Sequence, residues 1–320
     1  MNELQLTGFH HLTAVSADIR ENKRFFTEDL GLRLVKRSVN QDDTSAYHLF
    51  YADAVGTPGT DVTFFDWEVP REQRGNHTVT RTGLRVADGE ALRYWQRRFE
   101  ARGIEAEPIS ERDGRALIDF EDHEGQRMAL VVDGGSGDAP TPWAGSDVPA
   151  EYQIRGLGPI TMTVPSLSAT DMLLRRVMNM VHLREYAHAS ESSYTVHVYG
   201  MGAADGPHCE LHVAVRPTLR PARPGAGGVH HVAFRIPDDA YEAWAERLNL
   251  LGVRNSGKVN RYYFRSLYFR EPNGVLFELA TDGPGFAVDE PIDNLGDRLA
   301  LPPFLESRRE KIEAGLRPID

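Results

Sequence analysis

Apolar residues recur along the chain with two periods, and the periods alternate in a fixed order. Residues 9–15 read as a strand. Residues 18–30 read as a helix carrying Phe25, Phe26 and Leu30 at helical spacing and stopped at Gly31; strands follow at 33–39, 46–51 and 61–65. The same order then returns three times. A second unit has a strand at 80–86, a helix at 89–102 stopped at Gly103, and strands at 106–109, 115–121 and 127–132. A third has a strand at 159–164, a helix at 169–180, and strands at 184–188, 193–199 and 210–215. The fourth has a strand at 230–236 and a helix at 240–251 with Tyr241, Trp244, Ala245, Leu248 and Leu251 on one face, then strands at 256–258, 261–270 and 275–280. Turn residues separate the closing strands, most clearly Gly56-Thr57-Pro58-Gly59 and Glu271-Pro272-Asn273-Gly274.

Four βαβββ modules make an α+β protein built by internal repetition. A Gly-, Ser- and Pro-rich linker at 133–142 separates the first pair of modules from the second, and residues 217–228 separate the third from the fourth. The expected division is an N-terminal domain at 1–140 and a C-terminal domain at 150–285, each of two modules. A tail at 286–320, with Leu301-Pro302-Pro303-Phe304 and a polar helix near 305–314, is expected to pack on the body.

Composition excludes more than it assigns. A net charge of −11 argues against non-specific nucleic-acid binding, which needs basic patches to neutralise phosphate. No apolar run approaches the roughly 20 residues that span a bilayer, and the first residues lack the basic and apolar regions of a secretion signal. The single cysteine rules out an internal disulfide framework and suits a reducing compartment. The expectation is a cytoplasmic protein with neither membrane nor nucleic-acid partner; homo-oligomerisation stays open.

Chemistry enters through a second repetition. Gly8-Phe9-His10-His11-Leu12-Thr13 near the start is echoed by Gly228-Val229-His230-His231-Val232-Ala233-Phe234, and each doublet opens the first strand of a module. Strand neighbours point to opposite faces. His230 then shares a face with Val232, Phe234 and Ile236, and His10 with Leu12 and Ala14, which places both in the layer behind. His11 and His231 face the open side. Glu278, the one acid in Val275-Leu276-Phe277-Glu278-Leu279-Ala280, needs a partner if buried. Two neutral imidazoles and one carboxylate on one face, with other positions open, is the arrangement of non-haem iron(II) oxygenases. His11, His231 and Glu278 are therefore the candidate ligands, and His10 and His230 are placed to orient them through ring nitrogens. Modules two and three offer only Arg81 and Pro159 at the equivalent place. One metal site is expected, formed by modules one and four, leaving two and three to pair without one. His208, Glu210 and His212 alternate and could share a strand face, but they read as exposed polar residues, with Cys209 a small buried hydrophobe opposite.

The module pattern resembles the glyoxalase/bleomycin-resistance/extradiol-dioxygenase superfamily, the vicinal oxygen chelate proteins, in which such modules pair into two curved half-barrel domains. The doublets, Tyr47-His48-Leu49-Phe50-Tyr51-Ala52-Asp53 with the Gly-Thr-Pro-Gly turn, and Tyr268-Phe269-Arg270-Glu271-Pro272-Asn273-Gly274 leading to Glu278 are similar to the hydroquinone-type ring-cleaving dioxygenases. The resemblance implies iron(II), or less often manganese(II), on His11, His231 and Glu278. It implies a small aromatic substrate whose hydroxyl meets the metal, and dioxygen that opens the ring beside the hydroxylated carbon. It assigns supporting roles to His10, Thr13, His230, Arg261 and Tyr268. Catechol-type extradiol cleavage is a near alternative. A glyoxalase-type isomerase or lyase is another, although it would want a second carboxylate where Thr63 stands, with Asp61 nearby. A metal-free drug-binding protein would need none of these residues.

Overall fold

The computed structural model describes residues 4–320. Module one comprises β1 (Phe9–Ser16), α1 (Ile19–Arg24, continued by a π turn at Phe25–Asp29), β2 (Arg33–Val39), β3 (Tyr47–Ala52) and β4 (Asp61–Asp66). Module two comprises β5 (Thr78–Val86), α2 (Gly89–Arg102), β6 (Ser110–Arg112), β7 (Arg115–Glu121) and β8 (Arg127–Val132). Module three has β9 (Leu157–Val164), α3 (Ser168–Met172, continued by a π turn at Leu173–Val177), β10 (Val181–Ala187), β11 (Thr195–Gly200) and β12 (Glu210–Val215). Module four has β13 (Val229–Ile236), α4 (Tyr241–Leu250), β14 (Val259–Asn260), β15 (Arg265–Arg270) and β16 (Leu276–Thr281). Both π turns fall where two consecutive apolar residues are buried, Phe25-Phe26 and Leu173-Leu174; the wider turn brings both to the core side.

Two expected strands are displaced. Residues 106–109 contribute only a single bridge, Ala106 to Phe120, and the edge strand forms at β6 instead; Pro108 has no N–H to give a ladder. The 256–258 strand shrinks to β14, because Gly257 sits at φ 71° and breaks the extended run. The tail helix is split in two, α5 (Pro303–Glu306) and α6 (Arg309–Gly315).

The strands form two curved eight-stranded sheets, ordered β14-β15-β16-β13-β1-β4-β3-β2 and β10-β11-β12-β9-β5-β8-β7-β6. Modules one and four make the first, and modules two and three the second. Residues 1–140 and 150–285 thus each give one module to each sheet. At each centre the two first strands run antiparallel, β1 against β13 and β5 against β9. Helices cover one face of each sheet, where Leu12, Phe26, Phe64, Phe234, Trp244 and Trp95 belong to one continuous core. The opposite face is left concave. The two inter-module linkers run together: Arg71, Gln73 and Asn76 bridge to Ala226, Arg223 and Pro221. Gly75 and Gly225 are required there, since a side chain at either would collide with the facing backbone.

The tail does more than cover the body. Phe286 and Leu295 enter the cluster that floors the first concave face, beside Phe50 and Tyr263. Lys36, 0% exposed, fixes this strap by donating to the Phe286 carbonyl (3.1 Å), Asp289 (2.8 Å) and Glu290. No helix among the described residues is long and apolar enough to cross a membrane.

Candidate metal centre

The pairing of β1 with β13 decides where the histidines point. Phe9 pairs with Phe234 and His11 with Ala233, so His10 is an extra residue; Thr13 pairs with His231 and Ala14 with Val229, so His230 is the extra residue on the other strand. Each doublet is a β-bulge, one on each strand about the sheet's pseudo-twofold. Strict alternation therefore fails there, and the expectation that His10 and His230 lie in the layer behind is wrong. His10 packs on Phe264 (5.1 Å between rings), and His230 on Phe65 and Trp67 (5.3 and 5.4 Å). Both sit on the concave side with their partners. His10 Nδ1 lies 2.8 Å from His11 Nδ1, and His230 Nδ1 lies 2.8 Å from His231 Nδ1.

Those contacts leave the two inner Nε2 atoms free to converge. They stand 3.2 Å apart, and Glu278 Oε2, brought in by β16, lies 3.2 Å from His11 Nε2 and 3.0 Å from His231 Nε2. Ligand atoms about 2.1 Å from one ion at adjacent octahedral corners stand roughly 3.0 Å apart, so the three fit one face of such a site. Glu278 adds a second sign: it is 0% exposed, and among the described residues its carboxylate oxygens meet no donor other than the two ligand imidazoles. A buried carboxylate in that state wants a cation.

Burial opposes ionisation of Glu278, but His11 and His231 outweigh it and hold its carboxyl well below the usual range. Burial likewise depresses His231. Burial, aided by the neighbouring imidazole of each doublet, pulls His10 and His230 down to about 3. For His10, His230 and His231 this favours the neutral ring, the form that leaves a lone pair for an ion or a hydrogen bond.

Around this triad lies a cavity of about 390 Å³ walled by Phe65, Trp67, Phe264, His48, Arg261 and Tyr268. Tyr268 pairs with Glu278 in the β15–β16 register, and its ring meets His231 edge-on at 5.9 Å. Arg261 Nε donates to the Tyr268 hydroxyl (3.2 Å), while Nη1 and Nη2 donate to Asp42 (3.2 and 2.8 Å). Burial, reinforced by the Glu278 charge, raises the Tyr268 phenol, which stays protonated at neutral pH. On the other side Thr13 Oγ1 lies 3.0 Å from His231 Nε2 and 2.7 Å from Thr63 Oγ1, which in turn lies 2.9 Å from His48 Nε2.

Thr63 pairs with Thr13 as Glu278 pairs with Ala233, so Thr63 is the pseudo-twofold counterpart of the carboxylate. Among the described residues no fourth protein ligand stands there. Asp61 is buried and lies outside the cluster; burial, with Asp53 adding, pushes its carboxyl well up. All eight residues singled out from the sequence, His10, His11, Thr13, His230, His231, Arg261, Tyr268 and Glu278, gather at this site. His48 and Asp42 were missed. The signal for His48 was present, since it alternates with Phe50, whose ring lies 4.0 Å away.

The second concave face is built differently. Glu210 and His212 are buried there, contrary to the expectation of exposed polar residues, and His208 lies apart in a turn at Pro207–Cys209. Arg115 (2.7 and 3.0 Å) and Arg184 (3.0 and 2.8 Å) clamp Glu210, and Arg184 also pairs with Asp113. Two guanidinium groups neutralise the two acids. A third grouping, His182, Glu185 and His197, lies on the strand pair at the sheet edge.

Comparison with known proteins agrees with this construction. The family model described as the Glyoxalase/Bleomycin resistance protein/Dioxygenase superfamily matches residues 8–130 and 156–279. MhqA of Bacillus subtilis (strain 168), whose name assigns it to the ring-cleaving dioxygenases, is 45% identical over 99% of this chain and 100% of its own. The chlorohydroquinone/hydroquinone 1,2-dioxygenase of Sphingobium indicum is 28% identical over 96% of this chain and 95% of its own. A crystal structure from Bacillus subtilis, described as a dioxygenase, superposes with a TM-score of 0.89 at 33% identity, covering 99% of both chains. The chain belongs to the Glyoxalase/Bleomycin resistance protein/Dioxygenase superfamily, among its ring-cleaving dioxygenases.

Proposed function

We propose that this enzyme opens a hydroquinone-like aromatic ring with dioxygen, using iron(II), or manganese(II) in its place, held by His11, His231 and Glu278. The observation that carries the reading is the triad itself: three converging ligand atoms on one side, and Thr63 rather than a second carboxylate on the other. That difference favours an oxygenase over a glyoxalase-type isomerase, because two reactants need open positions. The Sphingobium relative's hydroquinone substrate supports the choice of ring.

Bound in the triad, such a metal supplies Lewis acidity toward an aromatic hydroxyl and redox chemistry toward dioxygen. The remaining work falls to side chains. His10 and His230 accept from the Nδ1–H of His11 and His231, fixing both rings so that Nε2 faces the centre. Phe65, Trp67 and Phe264 offer apolar walls to a ring and exclude water. Thr13 can donate a hydrogen bond to a substrate oxygen beside His231, and Tyr268 can donate a proton from the opposite wall. Arg261 keeps Tyr268 aimed inward.

Protein reconstituted anaerobically with iron(II) is expected to consume oxygen with hydroquinones on an oxygen electrode, faster than with catechols. Silence toward every dihydroxybenzene, with isomerisation of a thiol adduct instead, would refute the reading.

A further inference from the structure

We propose that His48 recognises the second ring hydroxyl of the substrate, and that Thr63 and Thr13 couple this contact to the oxygen beside the metal site. The inference rests on the hydroquinone reading above and names the residue that selects a diol over a simple phenol. Arg261 is the obvious candidate for that hydroxyl, but three of its five N–H donors are engaged, Nε with Tyr268 and one from each terminal nitrogen with Asp42, and it has no acceptor for a hydroxyl proton. His48 is not. Its Nε2 meets Thr63 at 2.9 Å, while Nδ1 has no partner among the described residues and is not sealed from the cavity that the ring lines. Phe50 and Phe65 hold the ring in place, with centroids 4.0 and 4.4 Å away. His230 also reaches the cavity, but it is tied to the ligand His231 through Nδ1. His48 belongs instead to the side where Thr63 replaces a ligand, the side left to substrate.

The hydroxyl chain gives this placement a consequence. A threonine hydroxyl has one hydrogen, so the run His48 Nε2, Thr63 Oγ1, Thr13 Oγ1 has only two polarities. If a substrate hydroxyl donates to His48 Nδ1, Nε2–H must donate to Thr63 and Thr63 to Thr13. The Thr13 O–H is then free to donate to the substrate oxygen next to His231. Recognition at one end of the ring thereby supplies a hydrogen bond at the other. A monohydric phenol leaves Nδ1 unmet and the polarity unset. Burial lowers the basicity of His48, which favours the neutral ring, and with Nε2 on Thr63 the other nitrogen is the one left to accept. A site holding a hydrogen-bonding group for a hydroxyl disfavours the analogue lacking it, here by roughly 10- to 100-fold.

The test measures binding without turnover. Protein loaded with zinc, which is redox-inert, is titrated with hydroquinone and with phenol without oxygen, for wild type, His48→Phe and Thr63→Val. Wild type is expected to favour hydroquinone by roughly 10- to 100-fold. His48→Phe, which keeps the stacking, should bring the two affinities within about threefold by weakening hydroquinone alone. His48→Gln, which retains an acceptor, should restore part of the preference. If His48→Phe does not fold, Thr63→Val carries the test, since it cuts the chain without touching the ring. An undiminished preference in these variants overturns the inference and leaves ring cleavage standing. A wild type that binds both compounds equally overturns it too, and one that binds neither removes the hydroquinone reading as well.

Discussion

Replacing Glu210 by Gln removes one negative charge from the second concave face while keeping the side chain's shape. Glu210 is fully buried and accepts from Arg115 at 2.7 and 3.0 Å and from Arg184 at 3.0 and 2.8 Å. Breaking a buried charge pair costs about 3–5 kcal/mol, because the partner charge is left uncompensated. Arg184 is 34% exposed and Arg115 21% exposed, so solvent screens part of the loss and the lower end, about 3 kcal/mol, applies. At roughly 2–4 °C per kcal/mol, the midpoint should fall by about 6–12 °C in a calorimetric scan. Oxygen uptake and iron content should stay unchanged, since the charge balance is local to modules two and three. The effect has a pH signature. Burial opposes ionisation of Glu210, but His212, Arg115 and Arg184 outweigh it and hold its folded pKa well below the unfolded value of about 4.5. Its stabilisation is present above that unfolded pKa and is lost as pH falls, so the gap between wild type and Glu210→Gln should narrow on acidification. A variant as stable as wild type at neutral pH would refute the reasoning, as would one that loses iron.

Three further outcomes are expected. Lys36→Met, which strands the buried Glu290, should cost about 3–5 kcal/mol in urea unfolding, and adding Glu290→Gln should recover part of it. Tyr268→Phe should lower kcat for ring cleavage by about 10²-fold while iron content holds, because the hydroxyl faces the cavity and is no ligand. His212→Ala should leave oxygen uptake within about twofold of wild type, the two concave faces being independent sites.

The four-module plan was legible because each helix and each strand carries its own hydrophobic period. The pairing of modules one with four followed from the histidine doublets of their first strands, which the first strands of modules two and three lack. Alternation, however, is a rule for a regular strand. His10 and His230 broke it because a bulge is fixed by the register between two strands, and β1 and β13 lie more than two hundred residues apart in sequence. His48 escaped notice for a related reason: its place depends on Thr63, one strand across, and on Thr13, one strand further. Glu210 and His212 looked exposed because the arginines that permit their burial come from β7 and β10. Lys36 would have read as a surface lysine without the strap that folds over it.

The central claim is that residues 11, 231 and 278 share one ion with part of its coordination left open. The direct measurement is iron content per chain, by mass spectrometry of protein purified anaerobically, for wild type, His11→Ala, His231→Ala and Glu278→Ala. Wild type should carry about one iron per chain, and each variant should lose the metal together with all oxygen uptake. Iron retained at the wild-type level in any of the three, with turnover intact, would contradict the account.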